Sequence, residues 1–291
     1  MKNSIVCILL LFSGSIIGQN LKSKQILLGE VTKTDFSHSD FNWFSKNYED
    51  YLTNDKITKK LKKSLKGYTI KAFFGSWCGD SKRNLPVFYK VLEESNFSHE
   101  NLTVIAVDRK KEAYKQSPGR EEKGLNIHRV PTFIIYKDGI EVNRIVEYPK
   151  TTFERDLLKI TTSKNYVPKY KAVTLLSSLL KKPKDSLQLL ESKLISFIPE
   201  IAEGVKELNT YGFVKLRANL IDEAEYIFKL NAKMYPNHYV PYHSLGVYYF
   251  EKKEYQKALK NLYKSLSIYT ENTKAKELIQ KLKDNNLITS K

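Results

Sequence analysis

The sequence predicts two units of different class: a mixed α/β domain over residues 35–162 and an all-α helical repeat domain over residues 171–291, joined by a linker at 163–170. Three observations carry this. Apolar runs of strand length alternate with helical patterns between Tyr68 and Thr162. One run ends in Trp77-Cys78-Gly79-Asp80-Ser81, where a helical pattern begins. Beyond Lys171 no strand pattern returns, and a period of 34 residues sets in.

Residues 1–18 have the layout of a secretory leader: Lys2, the apolar run Ile5–Phe12, then small residues at Ser13, Gly14, Ser15 and Gly18. Cleavage is expected after Gly18 or Ser15. The run is too short to span about 30 Å of hydrocarbon. The expected location is outside the cytoplasm, in the periplasm or envelope of a bacterium. Removing the leader with Cys7 leaves Cys78 as the one cysteine, so no internal disulfide can form. An unpaired thiol in an oxidising compartment suggests a reactive role or an intermolecular partner. The alternative is a small apolar core residue.

In chain order, Phe41, Phe44, Tyr48 and Leu52 follow helical spacing, with Ser39 or Asp40 as the cap. Ile57, Leu61 and Leu65 mark a basic amphipathic helix that stops near Gly67. Tyr68–Phe74 reads as a buried strand, and a helix follows from Ser81 to Glu94, kinked by Pro86. Leu102–Val107 is a second strand, followed by a polar stretch to Asn126. Thr132–Tyr136 and Glu141–Val146 form a hairpin across Lys137-Asp138-Gly139. Thr151–Glu154 has the form of a capping box opening a helix with Phe153, Leu157 and Ile160 on one face. In the C-terminal half, helices are expected over Leu175–Leu180, broken at Pro183, and over Leu187–Phe197, ending at Pro199. The period of 34 relates Tyr211 to Leu245, Gly212 to Gly246, Ala224 to Ala258 and Phe228 to Leu262.

The formal net charge of +17 raises nucleic acid or an anionic surface as a partner. The basic residues are mostly Lys and are scattered along helical faces. The densest run, Lys56–Lys66, is amphipathic, so a solvated face is the expectation and no nucleic acid is expected. Binding of an acidic polymer is the rival, and it would show a steep salt dependence. The five histidines are dispersed and none pairs with a cysteine, so no metal site is expected. No phosphate loop or nucleophile elbow appears, and no cofactor is expected.

Two motifs make residues 35–162 resemble the thioredoxin superfamily: Trp77-Cys78-Gly79-Asp80-Ser81, with Pro86 eight residues after the cysteine, and Val130-Pro131-Thr132-Phe133 at the start of a strand. The resemblance implies a cis Pro131 facing Cys78, a docking surface at Trp77, Val130 and Pro131, and thiol–disulfide exchange by Cys78. At a strand end and helix start, free N–H groups and the helix dipole favour a thiolate. Asp80 opposes it, while Lys82 and Arg83 support it. His128 is expected as a solvated surface histidine, with a role as proton carrier or counter-charge the alternative. The sequence departs from the family twice. Ser81 stands where the resolving cysteine would be, able only to donate a hydrogen bond to the sulfur. Ala72 stands where many members carry a buried acid.

Residues 205–272 resemble tetratricopeptide repeats, on Leu208, Tyr211, Gly212, Ala224, Phe228 and Pro236, then Tyr242, Leu245, Gly246, Tyr249, Ala258 and Leu262. Lys215 and Thr270 depart from the pattern. The resemblance implies a groove at Asn209, Phe213, Leu216, His243, Val247 and Phe250 that takes a peptide or protein, or else packs on the chain's own helices. The leading expectation is therefore monothiol exchange by Cys78 on protein thiols or disulfides, resolved by an external reductant. The alternative is a non-catalytic envelope scaffold or adaptor working through the repeats.

Overall fold

A computed structural model describes residues 25–163, 165–285 and 287. The leader predicted at residues 1–18 lies outside the described residues. The chain begins with β1 (Gly29–Val31), short 3-10 turns, α1 (Asn42–Asp50) and α2 (Asp55–Ser64). It continues with β2 (Tyr68–Phe74), α3 (Gly79–Glu94), β3 (Leu102–Ala106), β4 (Thr132–Lys137), β5 (Ile140–Val146) and α4 (Phe153–Thr162). The sheet order is β1-β3-β2-β4-β5, with β2 and β3 parallel and the other neighbours antiparallel.

Strand alternation sorts β2 between two cores. Ile70, Ala72 and Phe74 join the large core shared with α1–α4, whereas Phe73 meets Ile105 and Ile134 on the opposite face. That second core is closed by Ile127 and Val130 and edged by Trp77 and Cys78, so the candidate site sits on its rim.

Local chemistry accounts for most boundaries. The Asn54 side chain accepts from the Ile57 amide and caps α2. Asp138 and Gly139 both have positive φ, which suits a tight two-residue hairpin turn. Pro86 cannot donate to the Lys82 carbonyl one turn back, and Asn47 Nδ2 supplies that bond at 3.3 Å. Three expectations are corrected. Leu52 lies beyond α1 and is 86% exposed. Thr152, not Thr151, caps α4. Glu154 accepts instead from Tyr51 Oη and the Asn54 amide. β1 carries no readable period because it is three residues long.

The C-terminal half is helical throughout its described elements: α5 (Lys171–Leu179), α6 (Lys184–Ile201), α7 (Lys206–Arg217), α8 (Ile221–Met234), α9 (Tyr239–Glu251), α10 (Tyr255–Ile268) and α11 (Thr273–Asp284). Pro199 lies inside α6, which runs two residues past it. Two apolar cores succeed each other along these helices. Gly212 lies against Phe228, and Gly246 lies against Leu262. The fold class is the predicted one, an α/β unit with a mixed sheet followed by a helix-rich region. No described helix is long and apolar enough to cross a membrane.

Candidate functional site around Cys78

The site begins at the C-terminal end of β2. Gly75 has no Cβ, and one placed there would stand 2.6 Å from the Trp77 ring. Trp77 therefore folds back over the chain, and its Nε1–H donates to the Val107 carbonyl at 2.9 Å. The Cys78 amide donates to the Gly75 carbonyl at 2.8 Å, closing the turn. Cys78 is the N-cap residue of α3 in an extended conformation and is half-buried. Its thiol donates to the Val130 carbonyl at 3.3 Å. The Val130–Pro131 peptide is cis. Trp77, Cys78, Val130 and Pro131 thus form one cluster, though Val130 is buried at 2% exposure.

Ser81 is fully buried, and its Oγ accepts the Gly75 amide at 3.1 Å. Among the described residues no hydrogen bond joins Ser81 to the Cys78 sulfur, so the expected bond is corrected: Ser81 pins the turn from inside the helix. Asp80 pairs with Arg83 one turn along α3. Ala72 lies fully buried between Val104 and Phe133 in the sheet.

His128 corrects the surface expectation most strongly. It is 4% exposed, with Nδ1 3.2 Å from the Asn126 carbonyl and its ring edge-on to Tyr170 and Tyr211. Burial pushes its pKa down to about 3, beyond what the Asn126 contact restores. It is neutral near pH 7 and is no cationic partner for the thiol. The C-terminal helices cause this burial, since Tyr170 precedes α5 and Tyr211 belongs to α7. They also hold the polar loops: Tyr211 Oη donates to Asn126 Oδ1 at 3.2 Å, Gln116 Nε2 to the Arg217 carbonyl at 2.6 Å and Arg129 Nη2 to the Lys206 carbonyl at 3.3 Å.

The sequence reading missed a buried lysine that is electrostatically coupled to Cys78. Lys115 has a left-handed φ of 59° and is buried at 4% exposure. Its Nζ donates to the His128 carbonyl and lies 4.8 Å from the centre of the Tyr114 ring. Burial first, and then the Arg129 cation, lowers its pKa to about 7, while Cys78 and Glu147 pull it back upward. Glu147, just after β5, lies 3.7 Å from Arg129 and accepts from Tyr170 Oη. Burial raises its pKa against the opposing pull of Arg129. Nothing in the local sequence distinguishes Lys115 from its neighbours in a polar stretch; only long-range packing buries it.

Two hollows lie at predicted docking and groove residues. One of about 570 Å³ lies beside Trp77, between Ile26, Asp40, Lys82 and Arg109. The other, about 500 Å³, lies among the helices and includes Asn209, Phe213 and His243. The remaining predicted groove positions differ from one another: Leu216 is buried in the helical core, while Val247 and Phe250 are half-buried. Among the described residues no three His, Cys, Asp or Glu side chains gather to hold a metal ion.

A family model described as thioredoxin matches residues 34–158. Thioredoxin Asp f 29 of Aspergillus fumigatus is 28% identical over 95 residues, which is 33% of this chain and 79% of that protein. No solved structure matches. The mixed sheet, the thiol at the N-terminus of α3 and these likenesses together make residues 34–158 a thioredoxin-like domain, a likeness that suggests a redox function on protein thiols or disulfides.

Proposed function

We propose that the protein carries out monothiol thiol–disulfide exchange on protein substrates through Cys78, outside the cytoplasm. The observation that carries this reading is the half-exposed Cys78 thiol at the N-terminus of α3, 3.3 Å from the Val130 carbonyl and beside Pro131. The Cys78 thiolate attacks one sulfur of a substrate disulfide. A Cys78–substrate S–S bond forms as the substrate bond breaks, and the second substrate sulfur leaves as a thiolate that takes a proton. Cys78 is the one free cysteine among the described residues. Release therefore falls to an external thiol, which attacks the mixed disulfide and regenerates Cys78. Trp77 and the Val130–Pro131 backbone are the proposed docking surface.

The helical region is read as tetratricopeptide-like repeats over about residues 205–272. The support is the matched packing of Gly212 on Phe228 and of Gly246 on Leu262. Its hollow beside Asn209, Phe213 and His243 suits a peptide or protein segment and favours a second reading, a non-catalytic scaffold or adaptor.

Trapping separates the two readings. The protein is recovered from cells quenched with acid and alkylating agent, then run on non-reducing gels. Exchange predicts reducible adducts that vanish in Cys78→Ala. Adduct-free protein, with insulin-disulfide exchange equal in wild type and Cys78→Ala, sinks the exchange reading. The amino terminus of the secreted protein tests export: it is expected at Gln19 or Ile16, and an intact Met1 would rule the leader out.

A further inference from the structure

We propose that Lys115 is the counter-charge and proton acceptor of Cys78, a role that rests on the exchange reading for its use in turnover. The two side chains end on carbonyls two residues apart in one segment: Lys115 Nζ donates to that of His128, and the Cys78 thiol donates to that of Val130. Cys78 opens α3, Lys115 lies on the loop after β3, and both carbonyls belong to the segment that ends at Pro131.

A buried ammonium has three protons to place and is costly where it lacks an anion. Here one carbonyl and the Tyr114 ring receive it, and among the described residues no carboxylate forms an ion pair with it. The titratable and charged groups facing Lys115 come from each neighbouring element. They are Cys78 on α3, Tyr114 on its own loop, His128 and Arg129 before Pro131, and Glu147 after β5, with Tyr170 bonded to Glu147. Arg129 is held by Glu147 and by the Tyr170 ring, and His128 is neutral. Cys78 and Glu147 are thus the neighbours whose negative charge favours the Lys115 ammonium, and of the two Cys78 is the nucleophile.

The proton balance is simple. The S–H bond of Cys78 breaks, and an N–H bond forms on the Lys115 amine, leaving thiolate and ammonium side by side. Attack on a disulfide consumes the thiolate charge, and the ammonium returns its proton to the departing thiolate. A buried lysine poised near neutrality can do this in both directions.

The test follows iodoacetamide alkylation of Cys78 against pH in wild type, Lys115→Met and Lys115→Arg. Lys115→Met should slow alkylation about tenfold at neutral pH and move its rise about one pH unit upward. Lys115→Arg, a permanent cation, should keep the neutral rate within about threefold of wild type. Unchanged profiles in Lys115→Met overturn the proposal. A second measurement needs no variant: the Cε resonance of Lys115 in labelled wild type, before and after carboxamidomethylation of Cys78. Lys115 should titrate near neutral pH, and its midpoint should fall once the sulfur can no longer ionise. An ordinary lysine titration, or one indifferent to the blocking of Cys78, overturns the proposal even if Lys115→Met fails to fold. Lys115-dependent alkylation without trapped adducts would support the pair and reject exchange. Adducts formed equally by wild type and Lys115→Met would reject the pair alone.

Discussion

Gly246 faces Leu262 so closely that a Cβ on the glycine would stand 2.6 Å from two atoms of the leucine side chain. The same relationship recurs 34 residues earlier, where Gly212 meets the Phe228 ring. In both pairs the glycine lets the second helix come close, and the bulky side chain fills the space that a Cβ would take. Gly246→Ala should gain up to about 1 kcal/mol of helix propensity. It should lose about 1–3 kcal/mol to overpacking. The expected net effect is a lower urea midpoint at unchanged slope. Leu262→Ala alone should cost about 2–5 kcal/mol, and the double mutant should lose less than the sum of the two. The two sites touch, so their effects should not add. A Gly246→Ala protein as stable as wild type would count against the close crossing.

Glu154 clamps the start of α4 to the turn between α1 and α2. It is 1% exposed and accepts from Tyr51 Oη at 2.9 Å and from the Asn54 amide at 3.2 Å. Glu154→Ala leaves both donors unpaired, with an expected loss of about 1–3 kcal/mol. Tyr51→Phe removes one donor and keeps the other bond, so it should cost less. Chemical denaturation of both variants and the double mutant checks the ordering, and a larger loss in Tyr51→Phe would refute it.

Stability should rise with pH in two separate windows. His128 has a folded pKa of about 3 against an ordinary 6.5. The unfolded chain therefore binds the extra proton between those values, and stability is lost as pH falls from about 6.5 toward 3. Lys115 has a folded pKa of about 7 against 10.5. Again the unfolded chain holds more protons between the two, so this contribution grows from about pH 7 to 10.5 and is missing below 7. Each window is limited to about 1.4 kcal/mol per pH unit. His128→Phe should flatten the acid arm, and Lys115→Met the neutral-to-alkaline arm. Thermal melts across pH measure both. Unchanged slopes in the variants would show that these groups are not buried in the form described.

Legibility in the sequence divides along the range of the interactions. β2 was readable because its apolar run ends in a distinctive turn, and α2 because its apolar residues recur every four positions. Cys78, Trp77 and Val130 were readable as a cluster because two short motifs resemble a known family. β1 was not, since three residues hold no period. The polar contacts at the site follow from tertiary packing. Ser81 is a polar residue beside a cysteine in sequence, yet its hydroxyl faces the Gly75 amide. Lys115 and His128 look like solvated residues of a polar loop until α5 and α7 cover the segment before Pro131. In the helical half the period of 34 carried the glycine contacts, while Leu216, read as a groove residue, is packed into the core.

Glu251 ties the two halves of the molecule together, and its two partners should matter unequally. On α9 it meets Lys111 from the loop after β3 at 2.7 Å and Arg217 from α7 at 2.8 Å through Nη2. Burial opposes its charge, but hydrogen bonds from Arg217 and Lys111 outweigh that and hold its pKa below the ordinary 4.5. Its contribution is therefore present above about pH 4.5 and lost as pH falls through the lowered value. The Lys111 side chain is 59% exposed, whereas that of Arg217 is 13% exposed. An exposed ion pair contributes about 0–1 kcal/mol, so Lys111→Met should barely move the unfolding midpoint. Arg217→Met leaves a mostly buried carboxylate short of its forked partner and should cost about 1–3 kcal/mol. Glu251→Gln should fall between them, and it should raise amide exchange at residues 109–116, where Lys111 and Gln116 reach across to the helices. Exchange in that loop that is identical in wild type and Glu251→Gln would mean that the loop is held by Gln116 and the Asp108 backbone bonds alone.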